Sequence, residues 1–439
     1  MARGKKAAKE LSPEEKLQQA LVPAEEQPYP IPGNWCWIHL LTSFENHTDS
    51  KKKVQSKKYL KNGKLAIVDQ GQELVGGYTD DESMSYSGEL PVIIFGDHTR
   101  CIKYIDFPFS QGADSVKVLS PKTFYDTRAF FFALQSVEIP NMGYRRHYPL
   151  FPQFSIPVPP LSEQHRIVSR IESLFAKLDE AKEKAQAVVD SFELRKSAIL
   201  HKAFTGELTE RWRKEYGVGM ESWKRCTVGS VCNDVKVGIV IKPSQYYTDK
   251  NEGTPAFRSA NVREYRIDDF DWVYLNEEGM VNNKRSIVHT GDVLVVRSGN
   301  PGTACVVSEK FDGYNAIDIL IAVPNQELIL PNYLCLFTNS PLGKQSVTEG
   351  KRGMALAHFN VKGYSKVQLN VPPISEQEKI VHTLNESLGK EQQAKEAAEA
   401  ALAQIELIKK SILARAFRGE LGTNDPAEEW AGELVKKAL

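Results

Sequence analysis

Apolar side chains recur at alternating spacings of four and three through Ile167, Ile171, Leu174, Leu178, Ala181, Ala185, Val188 and Phe192, and Ile199 continues the series. This is a heptad seam and predicts a long helix with one apolar stripe. A second series, Ile380, Leu384, Ala394, Ala398, Ala401, Ile405, Ile408 and Ile412, keeps the same phase, with polar Ser387 and Glu391 interrupting it. Ser162 and Ser375 are placed as N-caps just after Pro-Pro pairs, Glu378 would complete a capping box in the second helix, and Gly206 and Gly419 stand where a helix ends. Each helix should run about 40 residues, hence about 60 Å at 1.5 Å per residue. Neither can bury its seam alone, so the economical arrangement is an antiparallel pair within the chain.

Elsewhere the pattern shortens to β-like runs divided by Gly, Asn and Asp turns. Pro91–Phe95 precedes Gly96-Asp97, and Asp292–Val296 precedes Ser298-Gly299-Asn300. Two such stretches open alike, through Pro32-Gly33-Asn34-Trp35 and through Glu221-Ser222-Trp223, and close alike, through FSIPVPP and VQLNVPP. Mixed domains with a curved, mainly antiparallel sheet are expected in both. Ser12-Pro13-Glu14-Glu15 reads as a helix start that Pro23 soon stops, and Asp425-Pro426-Ala427-Glu428 as the start of a terminal helix through Leu439.

The two helical segments are one segment written twice. Val158–Leu208 and Val371–Leu421 align without a gap, from VPPLSEQHRIV to AFTGEL and from VPPISEQEKIV to AFRGEL, with close to half of about 51 positions identical. The predicted organisation is a polar leader (1–30), a first variable domain (31–157), a first repeated helix (158–208), a second variable domain (209–370), a second repeated helix (371–421) and a short terminal helix (422–439). The fold class is α+β: two mixed α/β domains separated by a long antiparallel two-helix coiled coil, with a pseudo-twofold internal repeat.

A chain of 439 residues suits two or three domains, and 41% hydrophobic with 26% charged residues is ordinary for a globular protein. No apolar run approaches the roughly 18 residues that span a bilayer, and MARGKKAAKELSPEEK has no signal-peptide core. Cys36, Cys101, Cys226, Cys232, Cys305 and Cys335 form no C-x-x-C pair, which argues against a structural zinc and for a reducing, cytoplasmic setting. Formal net charge is zero, so any nucleic-acid role requires cations gathered on one face.

The signatures of common chemistries are missing. Gly217-Val218-Gly219 is not continued as a dinucleotide fingerprint, and no Walker loop, H-E-x-x-H or G-x-S-x-G occurs. The Pro-Pro pairs at 159–160 and 372–373 lack the preceding Asn or Asp and the following aromatic of an amino-methyltransferase. The nine histidines and the carboxylates are dispersed. No catalytic residue, cofactor site or metal site is expected in this chain.

This order of segments resembles the specificity subunit of type I restriction–modification systems, nearly from end to end. The strongest marks are the paired PPLSEQ/PPISEQ helices closing in AFTGEL/AFRGEL. Gly291–Gly302 followed by Ala316-Ile317-Asp318 is also similar, as are FGDHTRCIKYIDFPF and Gly143–Tyr148. The resemblance implies a non-catalytic subunit whose two target recognition domains each read one half of a bipartite, asymmetric sequence in double-stranded DNA. The helices would separate the domains, set the number of unread bases and dock two modification (methyltransferase) subunits. Those partners would carry S-adenosylmethionine and methylate adenine N6, and restriction (motor–nuclease) subunits would bring ATP and Mg2+. Two other classes remain open on the residues alone: a coiled-coil scaffold whose heads bind protein, and an enzyme with an unrecognised site.

For DNA, phosphate contacts supply affinity and base edges supply specificity. Lys51, Lys52 and Lys53, followed by Lys57, Lys58 and Lys61, form either a phosphate clamp or a solvated loop. Arg100 and Lys103 lie beside a glycine turn. Arg145, Arg146, His147 and Tyr148 follow Asn141 and Gly143, a mixture of cations, aromatic and amide suited to bases and backbone. In the second domain Arg297 and Asn300 offer bidentate reach to guanine and adenine around a glycine that permits close approach. Lys351 and Arg352, with His358 and Asn360, precede the second Pro-Pro pair as the Arg145 group precedes the first. Lys242, Arg258 and Asn261 are further candidates. Charges such as Lys177, Lys182, Glu183, Lys395 and Glu396 serve as a solvated helix face or as docking contacts.

Overall fold

The computed structural model describes residues 11–113, 115–349 and 359–439. They form two compact units, one of residues Met1–Ala185 with Ala400–Leu439 and the other of Gln186–Glu399. Each unit therefore contains one variable domain and part of both long helices.

In the first unit the opening strand Cys36–His39 pairs antiparallel with the closing strand Ser155–Val158, Cys36 facing Val158. The similar opening and closing phrases of the sequence are thus two sides of one hairpin-like ladder. Between them lies an antiparallel sheet in the order Phe44–Asn46, Val116–Pro121, Val92–Gly96, Ile102–Ile105. A second sheet pairs Leu65–Val68 antiparallel with Gly77–Thr79 and parallel with Phe109–Gly112. The helix Thr127–Ser136 starts where the Asp126 carboxylate accepts the Ala129 N–H at 2.8 Å. It packs Phe130 and Phe132 into a core with Phe44, Phe95 and Phe151.

The second unit repeats this plan with different side chains. Lys224–Thr227 pairs antiparallel with Gln368–Val371. The main sheet runs Cys232–Val237, Ile319–Pro324, Val293–Val296, Ala304–Val306, again first strand, last strand, then the central hairpin. Thr254–Phe257 pairs antiparallel with Val273–Leu275 and parallel with Asn315–Ala316. Divergent sequences share a strand order here because the alternation of apolar runs and turns, not residue identity, specifies it.

The helices run Leu161–Asp190, then Phe192–Thr205 after the single irregular residue Ser191, and Ile374–Ala416 without interruption. In the first unit Lys182 meets Glu406 at 2.7 Å and Asp179 pairs with Lys409. One number falls as the other rises, so the segments are antiparallel, as expected. Arg195–Glu391 at 2.7 Å and the Lys395 ammonium over the Phe192 ring establish the same sense in the second unit. The buried ends of the seam belong to the domain cores. Ile167 and Ile171 join Leu413, Ala416 and Phe417 in one, and Ile380 and Leu384 join Leu200, Ala203 and Phe204 in the other. Leu174, Leu178 and Ile412 are half-buried and Ile405 is buried, all within the seam as expected.

Four seam positions differ from the heptad reading: Ala181, Ala394, Ala401 and Ile408 are exposed. In the second helix the contacts fall at Lys395, Ala398, Leu402, Ile405 and Lys409, one residue later at alternate positions. The aliphatic stems of Lys395 and Lys409 lie on the seam while their ammonium groups sit over Phe192 and Phe175. A lysine reads as polar in a periodicity count, and two of the five contact positions are lysines, so this phase was hidden. Ile405→Ala should accordingly cost about 2–5 kcal/mol and Ile408→Ala under about 0.5 kcal/mol, measured by urea denaturation. Equal costs would restore the original phase.

The caps are also corrected. The helices begin at Leu161 and Ile374, one residue before Ser162 and Ser375, and Pro160 and Pro373 carbonyls accept the first N–H groups. Ser162 and Ser375 lie on the first turn and Glu378 just beyond it, all three exposed, and they form no capping box. The E-Q pair of each copy turns inward instead. Gln164 donates to the Phe124 and Pro159 carbonyls at 2.9 and 2.8 Å and accepts the Asp126 N–H at 2.8 Å. Gln377 repeats this with Leu328, Pro372 and Leu330.

Glu163 accepts from Trp35 Nε1 at 2.7 Å, Asn424 Nδ2 at 2.8 Å and Thr423 Oγ1 at 3.2 Å. Glu376 accepts from Trp223 Nε1 at 2.9 Å, and from Thr209 Oγ1 and Arg213 Nη1 at 2.7 Å. All four side chains of the paired E-Q are fully buried. The repeated phrase is a bolt that joins each helix to its own domain.

At the termini, Ser12 and Glu15 form the expected capping box for the helix Pro13–Ala20. The last helix, however, is Ala431–Ala438. The Asp425 carboxylate accepts the Ala427 N–H in a tight turn, and the indole of Trp430 donates to the Trp35 carbonyl at 3.1 Å. Docking against Trp35 displaces the helix start toward the C-terminus from Pro426.

Candidate nucleic-acid interface

In the first unit, strand Val92–Gly96 turns through Asp97–Arg100 into Ile102–Ile105. The loop before the closing strand lies on this turn. One carboxylate oxygen of Asp97 accepts the N–H of His147 at 2.8 Å and of Tyr148 at 2.6 Å. His147 is fully buried, and its Nδ1 lies 2.8 Å from the Asp97 carbonyl while its Nε2 accepts the Met142 N–H at 3.2 Å. That pattern requires the neutral ring protonated on Nδ1. Two sequence candidates far apart in the chain, the Gly96 turn and the Arg145 group, therefore meet.

Their side chains divide by role. Arg145 and Arg146 are exposed and form no ion pair among the described residues. Tyr148 packs against Phe44 and Phe151 with the Lys117 ammonium over its ring. Arg100 donates to the Ile139 carbonyl at 2.9 Å, and buried Lys103 donates to the Glu73 carbonyl at 2.5 Å. Both tie the turn to its surroundings. Asp97→Ala should remove the acceptor of two backbone N–H groups and loosen residues 141–148. The expected cost is about 1–3 kcal/mol, with hydrogen exchange accelerated in that loop first.

The lysine group includes the short strand Lys53–Val54 at the edge of the second sheet. Lys51, Lys57 and Lys58 are exposed, the latter two on the turn Ser56–Lys58. Lys52 reaches the Ser85 carbonyl at 3.1 Å and Lys53 the Val116 carbonyl at 3.4 Å. The run thus splits into solvent-facing and fold-facing members.

The second unit has the same juxtaposition. Val293–Val296 turns through Arg297–Gly302 into Ala304–Val306, and the Phe359 N–H donates to the Arg297 carbonyl at 3.3 Å. Residues just ahead of the closing strand again lie on the hairpin turn. Gly299, at φ +83°, has nothing within 4 Å of where a Cβ would stand, so its value is backbone conformation. Asn300 is exposed. Arg297 has a side chain only 16% exposed, and its Nη1 lies 3.1 Å from Asp318 Oδ1. Arg258 is held by the Asp271 carboxylate at 2.7 Å, and buried Asn261 donates to the Phe270 carbonyl at 2.8 Å. Lys242 is exposed at a left-handed backbone position, φ +41°. Lys351, Arg352 and His358 lie outside the described residues, and Asn360 heads the short helix Val361–Ser365.

Sequence reading missed Asp97 as the loop's clamp, the inward E-Q pair and exposed Tyr144. The available signals were an acidic residue after a strand-ending glycine, identical residues in two copies, and an aromatic between Gly143 and two arginines. Among the described residues, no group of three or more His, Cys, Asp and Glu side chains could hold a metal ion. The six cysteines are free, and burial pushes the Cys36, Cys232 and Cys305 thiols up to about 12. No helix among the described residues is long and apolar enough to cross a membrane.

The repeated α/β units and their helices define a two-domain fold of a known kind. It is similar to the HsdS subunit from Thermoanaerobacter tengcongensis, with a TM-score of 0.57 at 17% identity over 90% of this chain and all of that one. A chain solved in a study of assembly and conformational transition of the type I restriction–modification system gives a TM-score of 0.63 at 18% identity, with the same coverage. Residues 220–400 match the type I restriction modification DNA specificity domain.

The chain is 28% identical to the EcoKI specificity subunit of Escherichia coli K12 over 290 residues, which is 63% of this chain. That alignment spans 60% of the relative's length. Similarity to the EcoR124I/EcoR124II specificity subunit of Escherichia coli is 22% over 373 residues, 80% of this chain and 85% of the relative. The chain thus carries a type I restriction modification DNA specificity domain over residues 220–400 and is similar in sequence to type I restriction enzyme specificity subunits.

Proposed function

We propose that this chain reads a bipartite, asymmetric site in double-stranded DNA, one half with each unit, and directs adenine-N6 methylation and ATP-dependent restriction by partner subunits. The observation that carries the reading is the shared juxtaposition. In two domains of unlike sequence, a residue ahead of the closing strand, His147 in one and Phe359 in the other, bonds to the turn of the central hairpin. A fixed scaffold with a variable tip is what different half-sequences require. The exposed Arg145 and Arg146 are its phosphate-binding candidates in the first unit, with exposed Lys51, Lys57 and Lys58 as a second group. Two modification subunits and the restriction subunits would supply S-adenosylmethionine, ATP and Mg2+, and this chain would bind none of them.

The test is binding of the full chain, assembled with its modification subunits, to a random-sequence duplex pool across a salt series. Selection of one bipartite sequence is expected. Arg145→Ala or Arg146→Ala should each reduce the salt slope by about 0.9 without changing the selected sequence. Indifference to DNA sequence would sink the proposal and favour a protein-binding scaffold.

A further inference from the structure

Tyr144 is 85% exposed, the most exposed large hydrophobic side chain among the described residues. It is nevertheless ordered against a neighbour: its ring stacks on that of His98, centroids 4.7 Å apart and planes inclined by 5°. His98 is held in turn by its backbone N–H, which donates to Gln70 Oε1 at 3.2 Å, and its Nδ1 is buried without a hydrogen-bond partner among the described residues. The loop that presents Tyr144 is fastened on both sides. Asn141 Oδ1 accepts the Gly143 N–H at 3.0 Å, Gly143 turns the backbone at φ +68°, and His147 is clamped to Asp97. Exposed Arg145 and Arg146 follow directly.

A single exposed apolar residue normally calls for no explanation. This one differs because it is backed by a second ring, fixed by a pinned loop and followed by two cations with no acidic partner among the described residues. Those are the components of a stacking platform for nucleic acid: a flat π surface held in place, with charge for the adjoining phosphates.

We propose that Tyr144, supported by His98, stacks on a base of the half-site contacted by the first unit. It thereby reads how readily one base step opens. Flexible pyrimidine–purine steps unstack at least cost, so the ring selects a step by deformability while other groups read edges. This inference rests on the DNA-reading function proposed above.

The experiment uses the full chain with its modification subunits and the duplex that the parent complex selects from a random-sequence pool. Tyr144→Ala should weaken binding on the order of ten- to hundredfold and leave the salt slope and thermal unfolding unchanged. Its reselected sequence should become degenerate at one dinucleotide step of one half only. Tyr144→Phe, which keeps the ring and loses the hydroxyl, should restore both affinity and sequence. Unaltered affinity and an unaltered selected sequence for Tyr144→Ala would overturn the assignment. Loss of subunit assembly without loss of DNA preference would overturn it too, giving the ring to a protein contact. A parent complex with no sequence preference would overturn the DNA-reading function and this inference together.

Discussion

Glu376→Ala is expected to lower the unfolding free energy of the second unit by roughly 3–5 kcal/mol. Glu376 is fully buried, and its partner Arg213 has a side chain only 7% exposed. Removing the carboxylate leaves the guanidinium buried without its counter-ion, and leaves Trp223 Nε1 and Thr209 Oγ1 without an acceptor. Arg213 keeps a bond to the Gly206 carbonyl at 2.6 Å, which does not neutralise it. Urea denaturation followed by tryptophan fluorescence measures the loss. Replacing both charged residues with apolar side chains of similar size should recover the part due to the unpaired charge, because the desolvation of both ions disappears together, and leave the cost of the unsatisfied Trp223 and Thr209 donors. Glu163→Ala provides the contrast. Its partners Trp35, Thr423 and Asn424 are uncharged, so the cost should be about 1–3 kcal/mol. Equal losses at the two positions would show that the Arg213 charge is solvated or paired elsewhere.

The second large effect concerns sequence choice. If the proposed function holds, exchanging residues 224–371 for the equivalent segment of a similar specificity subunit should change one half of the N6-methyladenine motif and leave the other half intact. The exchange is structurally feasible because Lys224 and Val371 face each other in one antiparallel ladder, so both junctions lie side by side. Domains joined through adjacent ends tolerate replacement with little strain. Mapping methylated adenines across the host genome reads the outcome directly. If both halves changed, or neither did, recognition would not be divided between the units as proposed.

Much of this was legible in the chain. The seam residues Ile167, Ile171, Ile380 and Leu384 announced the helices because burial along a helix repeats at a fixed period. The runs before Gly96 and before Ser298 announced the central hairpins because turn residues punctuate strands. The candidate site was legible only as groups. Arg145 and Arg297 are both candidate DNA contacts in sequence, yet Arg145 is exposed while Arg297 pairs with Asp318 from another loop. Pairing over such separations depends on which turns meet in space, and no local pattern records it. The same holds for Lys409, which reads as a solvated charge and lies on the seam against Phe175.

By itself the sequence determined the repetition, the helical periodicity, the alternation of strand and turn, and the absence of known catalytic motifs, since all of these are local or self-referential properties. Tertiary structure alone decided which side of each helix start is buried, turning Glu163, Gln164, Glu376 and Gln377 inward where caps were expected. It also brought the loop of Arg145 onto the turn of Asp97 and left Tyr144 stacked on His98 and exposed. The physical reason is that a polar side chain takes its role from the partners that desolvate it, and those partners come from distant parts of the chain.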